Sequence, residues 1–215
     1  MSAENRYPGY DVLAKREGLS WNDATRRTID ARLSLPRVPR FFTPAQWLTL
    51  QALCERIVPQ PQDPDPVPLA AMLDARLLSG RTDGFRRAVL PQQDEAWRRG
   101  LAALEAEART RYGGAFHELR AASQDELLRD LQAGRLSHEA WGGMPGNAFF
   151  AHRVLPDITS AFYAHPHAWN EMGFGGPASA RGYVRMDFDR RDPWEAVEAA
   201  PGQERQALRD NHRVR

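Results

Sequence analysis

A chain of 215 residues is long enough to bury one sizeable core, and its 42% hydrophobic and 27% charged residues are typical of a globular protein. The formal net charge of +1 excludes a general electrostatic attraction to nucleic acid or to an anionic membrane surface. No apolar run approaches the roughly 20 residues that cross a bilayer. Cys54 is the only cysteine, which excludes an internal disulfide and a cysteine-based zinc site.

Residues 1–40 are predicted to form an N-terminal arm followed by a short helix. The arm contains Tyr7 and Tyr10 without periodic spacing, which is typical of an extended segment whose aromatic side chains dock on a surface. Ser20 begins the capping-box pattern S-W-N-D, which predicts a helix over residues 21–33. Because the apolar stripe of this helix is thin, we expect it to be attached to a larger body.

Residues 41–164 carry the start and stop signals of a helical domain. The clearest start lies at Thr43, which can cap a helix whose first turn contains Pro44 and whose Gln46 can reach back to the cap. Pro156 interrupts the last helical pattern and predicts a kink or a restart. No segment alternates as a strand does, so the sequence predicts an all-α fold with a single compact helical domain. Helical spacing of apolar residues predicts helices at about residues 44–58, 68–79, 92–112, 123–134 and 147–164.

Residues 165–215 are predicted to form an irregular segment followed by a polar tail. Prolines and glycines interrupt residues 165–186, while Trp169, Phe174 and Tyr183 supply apolar mass within an irregular backbone. Large aromatic side chains in such a segment indicate packing against the helical body or against another protein. The rest of the chain is mostly charged, which predicts a tail that is frayed or lies along a partner.

Two patterns in the last third of the chain are compatible with enzymatic chemistry. His165 and His167 are candidate metal ligands, and with Glu171 or Asp187 they would form a two-histidine, one-carboxylate site, although no third ligand lies at motif spacing. Residues 173–176 have the glycine content of a phosphate loop, but they follow a helix rather than a strand. The sequence therefore predicts no catalytic or cofactor-binding residue in this chain. The alternative is a stand-alone metal-dependent enzyme that uses the two histidines.

Binding to a partner protein is the class that the residues favour. The arginine pairs are dispersed among acidic residues, unlike a stripe that follows phosphates, so we expect no nucleic-acid partner. Tryptophan, tyrosine and arginine are enriched among the anchors of protein interfaces. We predict that the partner interface contains these aromatic residues: Tyr7, Tyr10, Trp21, Trp169, Phe174, Tyr183 and Trp194.

Three ordered blocks resemble the subunit 3 family of gluconate 2-dehydrogenase, the small subunit of that enzyme. They are FFTPAQWLTLQALCERIVPQ, GLAALEAEARTRYGGAFHELRAASQDELL and FFAHRVLPDITSAFYAHPHAWNEMGFGGP, and together they span residues 41–177. The resemblance implies an α-helical accessory subunit without a redox centre of its own. Its partner would be a large FAD-containing catalytic subunit of the glucose-methanol-choline (GMC) type, which oxidises a sugar, a sugar acid or a related alcohol. A cytochrome c subunit often accepts the electrons in such complexes.

The resemblance also implies a chaperone-like role, in which the small subunit helps the flavoprotein to fold, remain stable or be exported. Many members of the family begin with a twin-arginine signal, whereas this chain begins with MSAENRYPGYDVLAKREGLS. Its arginines are not paired ahead of a hydrophobic stretch. We therefore expect a cytoplasmic location, or a periplasmic one if the chain is exported with a partner or has had a signal removed.

Overall fold

The computed structural model describes residues 6–60, 65–85, 87–179, 182, 192 and 194–214. Helices account for the regular secondary structure of these ranges, and a single isolated bridge joins Trp21 to Ser179. The predicted all-α fold is thus confirmed. The helices are α1 (Asp23–Leu33), α2 (Pro44–Ile57), α3 (Leu69–Leu78), α4 (Gln93–Tyr112), α5 (Ala121–Gln132), α6 (Gly146–Phe149), α7 (Leu155–Tyr163), α8 (Pro166–Met172) and α9 (Glu204–Asn211).

The chain divides into two compact units, a central unit of residues 35–162 and a terminal unit of residues 1–34 and 163–215. The division into 1–40, 41–164 and 165–215 stays a prediction about domains, but the structure places its first and last parts largely in one unit. Among the helices described above, none combines the length and the apolar character that a membrane span requires.

Local signals begin the first helix of the central unit as predicted. The hydroxyl of Thr43 accepts a hydrogen bond from the Gln46 backbone N–H at 3.3 Å, and the Gln46 side chain accepts one from the Thr43 N–H at 3.1 Å. The carboxylate of Asp74, which is 1% exposed, accepts hydrogen bonds from the backbone N–H groups of residues 40–42. This buried acid therefore fixes the start of α2 to α3.

Helix α4 forms the middle of the central core. Trp97 is fully buried and meets Phe149 edge to face, with ring centroids 5.4 Å apart. A Cβ atom at Gly100 would lie 2.3 Å from the Phe149 ring, so only glycine permits this approach of the two elements. The indole Nε1 of Trp97 donates to Asp157 at 2.7 Å, and the Gln93 side chain donates to the same carboxylate oxygen at 3.1 Å. The core thus contains a buried acid whose hydrogen-bonding capacity is used by neighbouring helices.

Two predicted helix starts were wrong by two residues. Helix α1 is capped by Asn22, whose side chain accepts from the Thr25 N–H at 2.9 Å, rather than by Ser20. Helix α5 begins at Ala121 rather than at about residue 123. The N–H groups of Ser123 and of the next residue already donate to the Arg120 carbonyl, so the helix has started before Ser123.

A kink or a restart was predicted at Pro156. The structure instead has a π-helical turn at Phe150–Val154, between α6 and α7. Proline has no N–H to donate to the carbonyl of His152 four residues earlier. The Arg153 Nε donates to that carbonyl instead, and the Leu155 N–H donates to the Phe150 carbonyl five residues back. The chain therefore remains helical through Pro156, with its turns locally widened.

The prediction of irregular backbone from His165 onward was wrong for residues 166–172, which form α8. Pro166 occupies the first helical turn, where its missing N–H costs no intrahelical bond, and His165 caps the helix by accepting from the His167 N–H at 3.3 Å. Gly173, with a φ of 65°, ends α8 in the left-handed conformation. Proline and glycine thus delimit this helix instead of breaking it.

The tail is not frayed in the described residues, because α9 returns to the N-terminal arm. The Asn211 side chain, 2% exposed, donates to the carbonyls of Pro8 and Val197, each at 2.9 Å, and accepts from the Val197 N–H at 2.7 Å. The Ala199 N–H donates to the Arg6 carbonyl at 2.7 Å. The two ends of the chain are therefore joined by hydrogen bonds to form one unit.

Candidate partner interface

The N-terminal arm of the terminal unit holds the glycine-rich loop that follows α8. The Tyr10 hydroxyl donates to the Phe174 carbonyl at 3.3 Å, and the Lys15 Nζ donates to the Gly175 carbonyl at 3.2 Å. The Val12 N–H donates to the Asn170 side chain at 2.8 Å. Each of these bonds joins residues that are far apart in sequence, so the arm determines the shape of the loop.

Two of these hydrogen-bond donors, the Lys15 ammonium and the Tyr10 phenol, belong to buried side chains. Lys15, the only lysine of the chain, is fully buried, and its Nζ lies 5.5 Å from the centroid of the Tyr10 ring. Burial raises the pKa of the Tyr10 phenol, and the neighbouring negative charge of Asp11 raises it further. The phenol is therefore held as a neutral hydrogen-bond donor.

The held loop presents an apolar surface. A Cβ atom at Gly173 would lie 2.4 Å from the Tyr7 ring, so the half-buried tyrosine lies directly on that glycine. Its chain neighbours Met172 and Phe174 are 40% and 43% exposed. Leu208 of α9, 39% exposed, packs on Gly9 two residues beyond Tyr7. We call these residues, with the half-buried Pro8 beside Tyr7, the arm surface: Tyr7, Pro8, Met172, Phe174 and Leu208.

Three of the predicted interface residues are instead buried in the terminal unit, namely Tyr10, Trp21 and Trp169, which are 5%, 2% and 4% exposed. The Trp169 indole donates to the Tyr163 carbonyl at 2.6 Å and meets the Phe174 ring edge to face at 5.7 Å. With Val12, Ile29 and Val214, the three aromatics form the core of this unit. Their side chains pack within the chain, so an exposed surface has to be formed by other residues.

The remaining predicted residues have different positions. Tyr7 and Phe174 belong to the arm surface, and Trp194 is half-buried. Tyr183 lies outside the described residues. That these residues contact a partner protein stays a prediction.

Sequence reasoning missed Met172 and Leu208 as surface residues. Both belong to helices, α8 and α9, in segments that were predicted to be irregular or frayed. The sequence did contain a signal for α8. His165 is its N-cap, Pro166 lies in its first turn, and Gly173 ends it. The amphipathic character of α9 is visible only as one alanine and one leucine among polar residues.

The candidate metal ligands lie next to each other at the start of α8. The rings of His165 and His167 meet edge to face at 5.0 Å, and His165 is 3% exposed. The Nδ1 of His165 accepts the capping hydrogen bond from the His167 N–H, so this nitrogen already serves the helix start. Within the described ranges, no three side chains of the histidine, cysteine, aspartate and glutamate types are grouped as a metal ion would require.

Cys54 of α2 has the environment of a core residue. It is 4% exposed, and burial strongly raises the pKa of its thiol. A thiol held in its protonated form is a poor nucleophile. This position supports packing rather than covalent chemistry.

A comparison with protein families gives a match. The family model described as gluconate 2-dehydrogenase subunit 3 matches residues 44–176, which run from the start of α2 through α8 to the glycine-rich loop. Searches of curated proteins and of solved structures found no match to the chain. The matched region contains all the long helices of the central unit and Phe174 of the arm surface.

Proposed function

The chain belongs to the gluconate 2-dehydrogenase subunit 3 family, and on that premise we propose that it is the non-catalytic accessory subunit of a flavin-dependent dehydrogenase. In this proposal it binds, stabilises and helps to mature a large catalytic subunit of the GMC type, and the FAD is bound by that partner. The substrate is a sugar, a sugar acid or a related alcohol, and a cytochrome c subunit accepts the electrons.

The observation that carries the proposal is the extent of the family match. It covers residues 44–176, which is most of the central unit together with α8, rather than a single short motif. A family of dehydrogenase subunits implies a dehydrogenase with several subunits, so the chain has a partner to bind.

The chemistry of the central unit supports a non-catalytic role. Its two most buried acids, Asp74 and Asp157, both serve the fold. Asp74 accepts from three backbone N–H groups, and Asp157 accepts from Trp97 and Gln93. Carboxylates whose lone pairs are already used in this way stabilise the fold and are not poised to act on a substrate.

The arm surface supports binding to a protein. Clustered exposed apolar side chains are typical of protein contact sites, and an aromatic ring such as that of Phe174 is a common anchor. Phe174 is also held in position by the arm and by α8, since its carbonyl accepts from Tyr10 and its ring meets Trp169. A side chain that is already ordered loses little conformational entropy when it binds.

Binding of this subunit would promote maturation of the flavoprotein by mass action. A subunit that binds the folded flavoprotein but not its unfolded chain stabilises the folded state by about 2.7 kcal/mol when it is present at a hundred times its Kd. This gain is available before FAD has been bound, because it depends only on the contact between the two proteins.

The experiment is to express the large flavoprotein that is encoded with this chain, with and without the chain, and to purify each sample by size exclusion. We expect the two proteins to elute together, and the co-expressed flavoprotein to contain more FAD and to be more active per milligram. The proposal is wrong if the flavoprotein folds, binds FAD and turns over equally well alone while this chain elutes as a monomer.

A pair of variants tests the part that the arm surface takes. Phe174→Ala should weaken the complex about tenfold without changing kcat of the flavoprotein that remains bound. Leu48→Ala is the matched control, since Leu48 is 44% exposed against 43% for Phe174 but lies on α2 of the central unit. Equal affinity for the two variants would remove the arm surface from the interface while leaving the accessory role in place.

A further inference from the structure

A loop of the central unit, residues 79–91 between α3 and α4, exposes apolar side chains that the function proposed above does not use. Phe85 is 70% exposed and Val89 is 58% exposed, the two highest values for large apolar side chains within the described part of the central unit. Leu78, at the end of α3, is 48% exposed. Exposed apolar side chains that are close in sequence cost hydration free energy unless a partner covers them.

The loop is fixed at both ends, so these side chains are held outward. Near its start, Asp83 forms ion pairs with Arg76 of α3 and with Arg153, whose Nη2 lies 2.9 Å from the carboxylate. At its end, Leu90 is 4% exposed within the central core, and its N–H donates to the Arg87 carbonyl at 3.0 Å. Gly84, with a φ of 76°, forms the left-handed turn that separates Asp83 from Phe85.

The charge of the loop is unbalanced. Its sequence, SGRTDGFRRAVLP, contains three arginines and one acid. That acid, Asp83, is already paired with Arg76 and Arg153, which also lie 3.5 and 3.7 Å from Asp157. Among the residues that the structure describes, no acid pairs with the exposed side chains of Arg81 and Arg87.

A cavity of about 280 Å³ lies beside the loop. Phe85 and Leu90 supply apolar wall, Arg87 supplies hydrogen-bond donors, and the ion pair of Asp83 with Arg153 also lines the space. A carboxylate entering this space would meet the guanidinium of Arg87, for which the described part of the chain supplies no ion partner, and an aromatic ring in the same lining. The lining therefore fits an acidic side chain that is followed or preceded by an apolar one.

We propose that residues 79–85 and 87–91, the described part of the basic loop, are a second docking surface that binds an acidic, partly apolar segment of the large catalytic subunit. This proposal rests on the function proposed above and names the chemistry of the partner surface. Charge complementarity carries it, because Arg81 and Arg87, which have no ion-pair partner among the described residues, lie within four positions of the exposed Phe85 or Val89. Two apolar side chains and so few basic ones bury too little for stable adsorption to a membrane, which favours a protein as the occupant.

The test measures the affinity of the purified chain for the large flavoprotein at low and at physiological ionic strength. The charge-reversed variant Arg81→Glu/Arg87→Glu should bind about tenfold more weakly at low salt, mainly through slower association, and its affinity should lose most of its salt dependence. Phe85→Ser should weaken binding by about tenfold through faster dissociation. All three side chains are exposed, so circular dichroism and the urea midpoint should stay as in the wild type.

The matched control is Arg120→Glu/Arg129→Glu, which makes the same change of charge at two exposed arginines, one at the N-cap of α5 and one in its last turn. The proposal is supported only if this control binds like the wild type while the loop variants do not. If the wild type binds and the loop variants bind equally well, the basic loop is not a docking surface, and the accessory role stands. If the wild type itself does not bind the flavoprotein, the proposed function fails and this inference fails with it.

A last experiment measures binding of the chain to vesicles that contain phosphatidylglycerol. We expect the wild-type chain not to bind them at physiological salt. If the chain binds these vesicles, and the charge-reversed loop variant loses vesicle binding but keeps its affinity for the flavoprotein, the loop faces a lipid surface and the proposal is overturned.

Discussion

The central and terminal units reach a stable packing in different ways. The central unit is continuous in sequence, and its apolar cluster extends through α2, α3, α4 and α5 to the segment around Phe149. The terminal unit joins the two ends of the chain around a small cluster that contains Trp21 and Trp169. Hydrogen bonds of buried polar side chains such as Lys15 and Asn211 add further connections.

This difference predicts how each unit responds to a destabilising substitution. A large continuous core loses stability gradually, because each side chain has many neighbours. A small core that must also close a long loop depends on a few contacts, and it is expected to open first. The exposed arm surface lies on the less robust unit, so its shape depends on contacts that a single substitution can remove.

The largest effect is expected for Trp97→Ala in the central unit. The change removes the edge-to-face contact with Phe149 and the N–H that donates to the buried Asp157, and should lower the free energy of unfolding by about 4 kcal/mol. Urea denaturation followed by circular dichroism measures it. Trp97→Phe keeps a ring but loses the donor, and should cost about 2 kcal/mol; equal losses for both variants would show that the indole N–H contributes the whole effect.

Trp169→Ala should cost about 3 kcal/mol, but only in the terminal unit. The change removes the hydrogen bond to the Tyr163 carbonyl and the packing on Phe174. Hydrogen exchange should show faster exchange of the Val12 N–H, which donates to Asn170, with little change for the amides of α4. Equal acceleration in both places would mean that the two units unfold together.

Gly173→Ala and Gly80→Ala separate backbone strain from packing. Both glycines have a φ of 65°, so alanine meets the same left-handed strain of about 1 kcal/mol at each site. A Cβ atom at Gly173 also meets the Tyr7 ring at 2.4 Å, whereas at Gly80 it meets nothing within 4 Å. We expect losses of about 2 to 3 kcal/mol at Gly173 and about 1 kcal/mol at Gly80 by urea denaturation. Similar losses at both sites would show that Tyr7 moves away without cost.

The smallest effect is expected for Tyr10→Phe, about 1 kcal/mol at neutral pH for the lost hydrogen bond to Phe174. Its pH dependence is more informative. Because burial raises the pKa of the folded phenol, the contribution of Tyr10 is fully present below about pH 10, the pKa of an unfolded tyrosine, and is lost as the pH rises toward the folded pKa. The wild type should therefore lose more stability than the variant between about pH 9 and pH 11 in urea titrations. Parallel curves would contradict the burial of this phenol.

Much of the central unit could be predicted from local signals. The capping pair of Thr43 and Gln46 and the stripe through Trp97 and Leu101 each act within one or two turns of a helix, so they are readable from sequence. The π-helical turn before Pro156 was predicted only as an irregularity. Its form depends on the Arg153 side chain, which takes the place of the missing N–H donor.

The candidate site was less predictable. Sequence reasoning placed Tyr7, Phe174, Trp21 and Trp169 together in a partner interface. The structure leaves Phe174 exposed and Tyr7 half-buried, and it buries the two tryptophans in the core of the terminal unit. All four are aromatic residues without an obvious helical stripe, so composition could not distinguish them. The basic loop was missed because its signal is that Arg81 and Arg87 have no ion partner among the described residues, which is a property of three-dimensional distance.

By itself the sequence determined the all-α class, most helix starts and stops, and the resemblance to the gluconate 2-dehydrogenase subunit 3 family. These properties depend on interactions between residues a few positions apart, or on the order of such segments along the chain. Only the tertiary structure decided that the two ends of the chain meet, that the lone lysine is buried, and which aromatics remain exposed. Those outcomes depend on contacts between residues more than 150 positions apart, as between Val12 and Asn170, which local propensities do not encode.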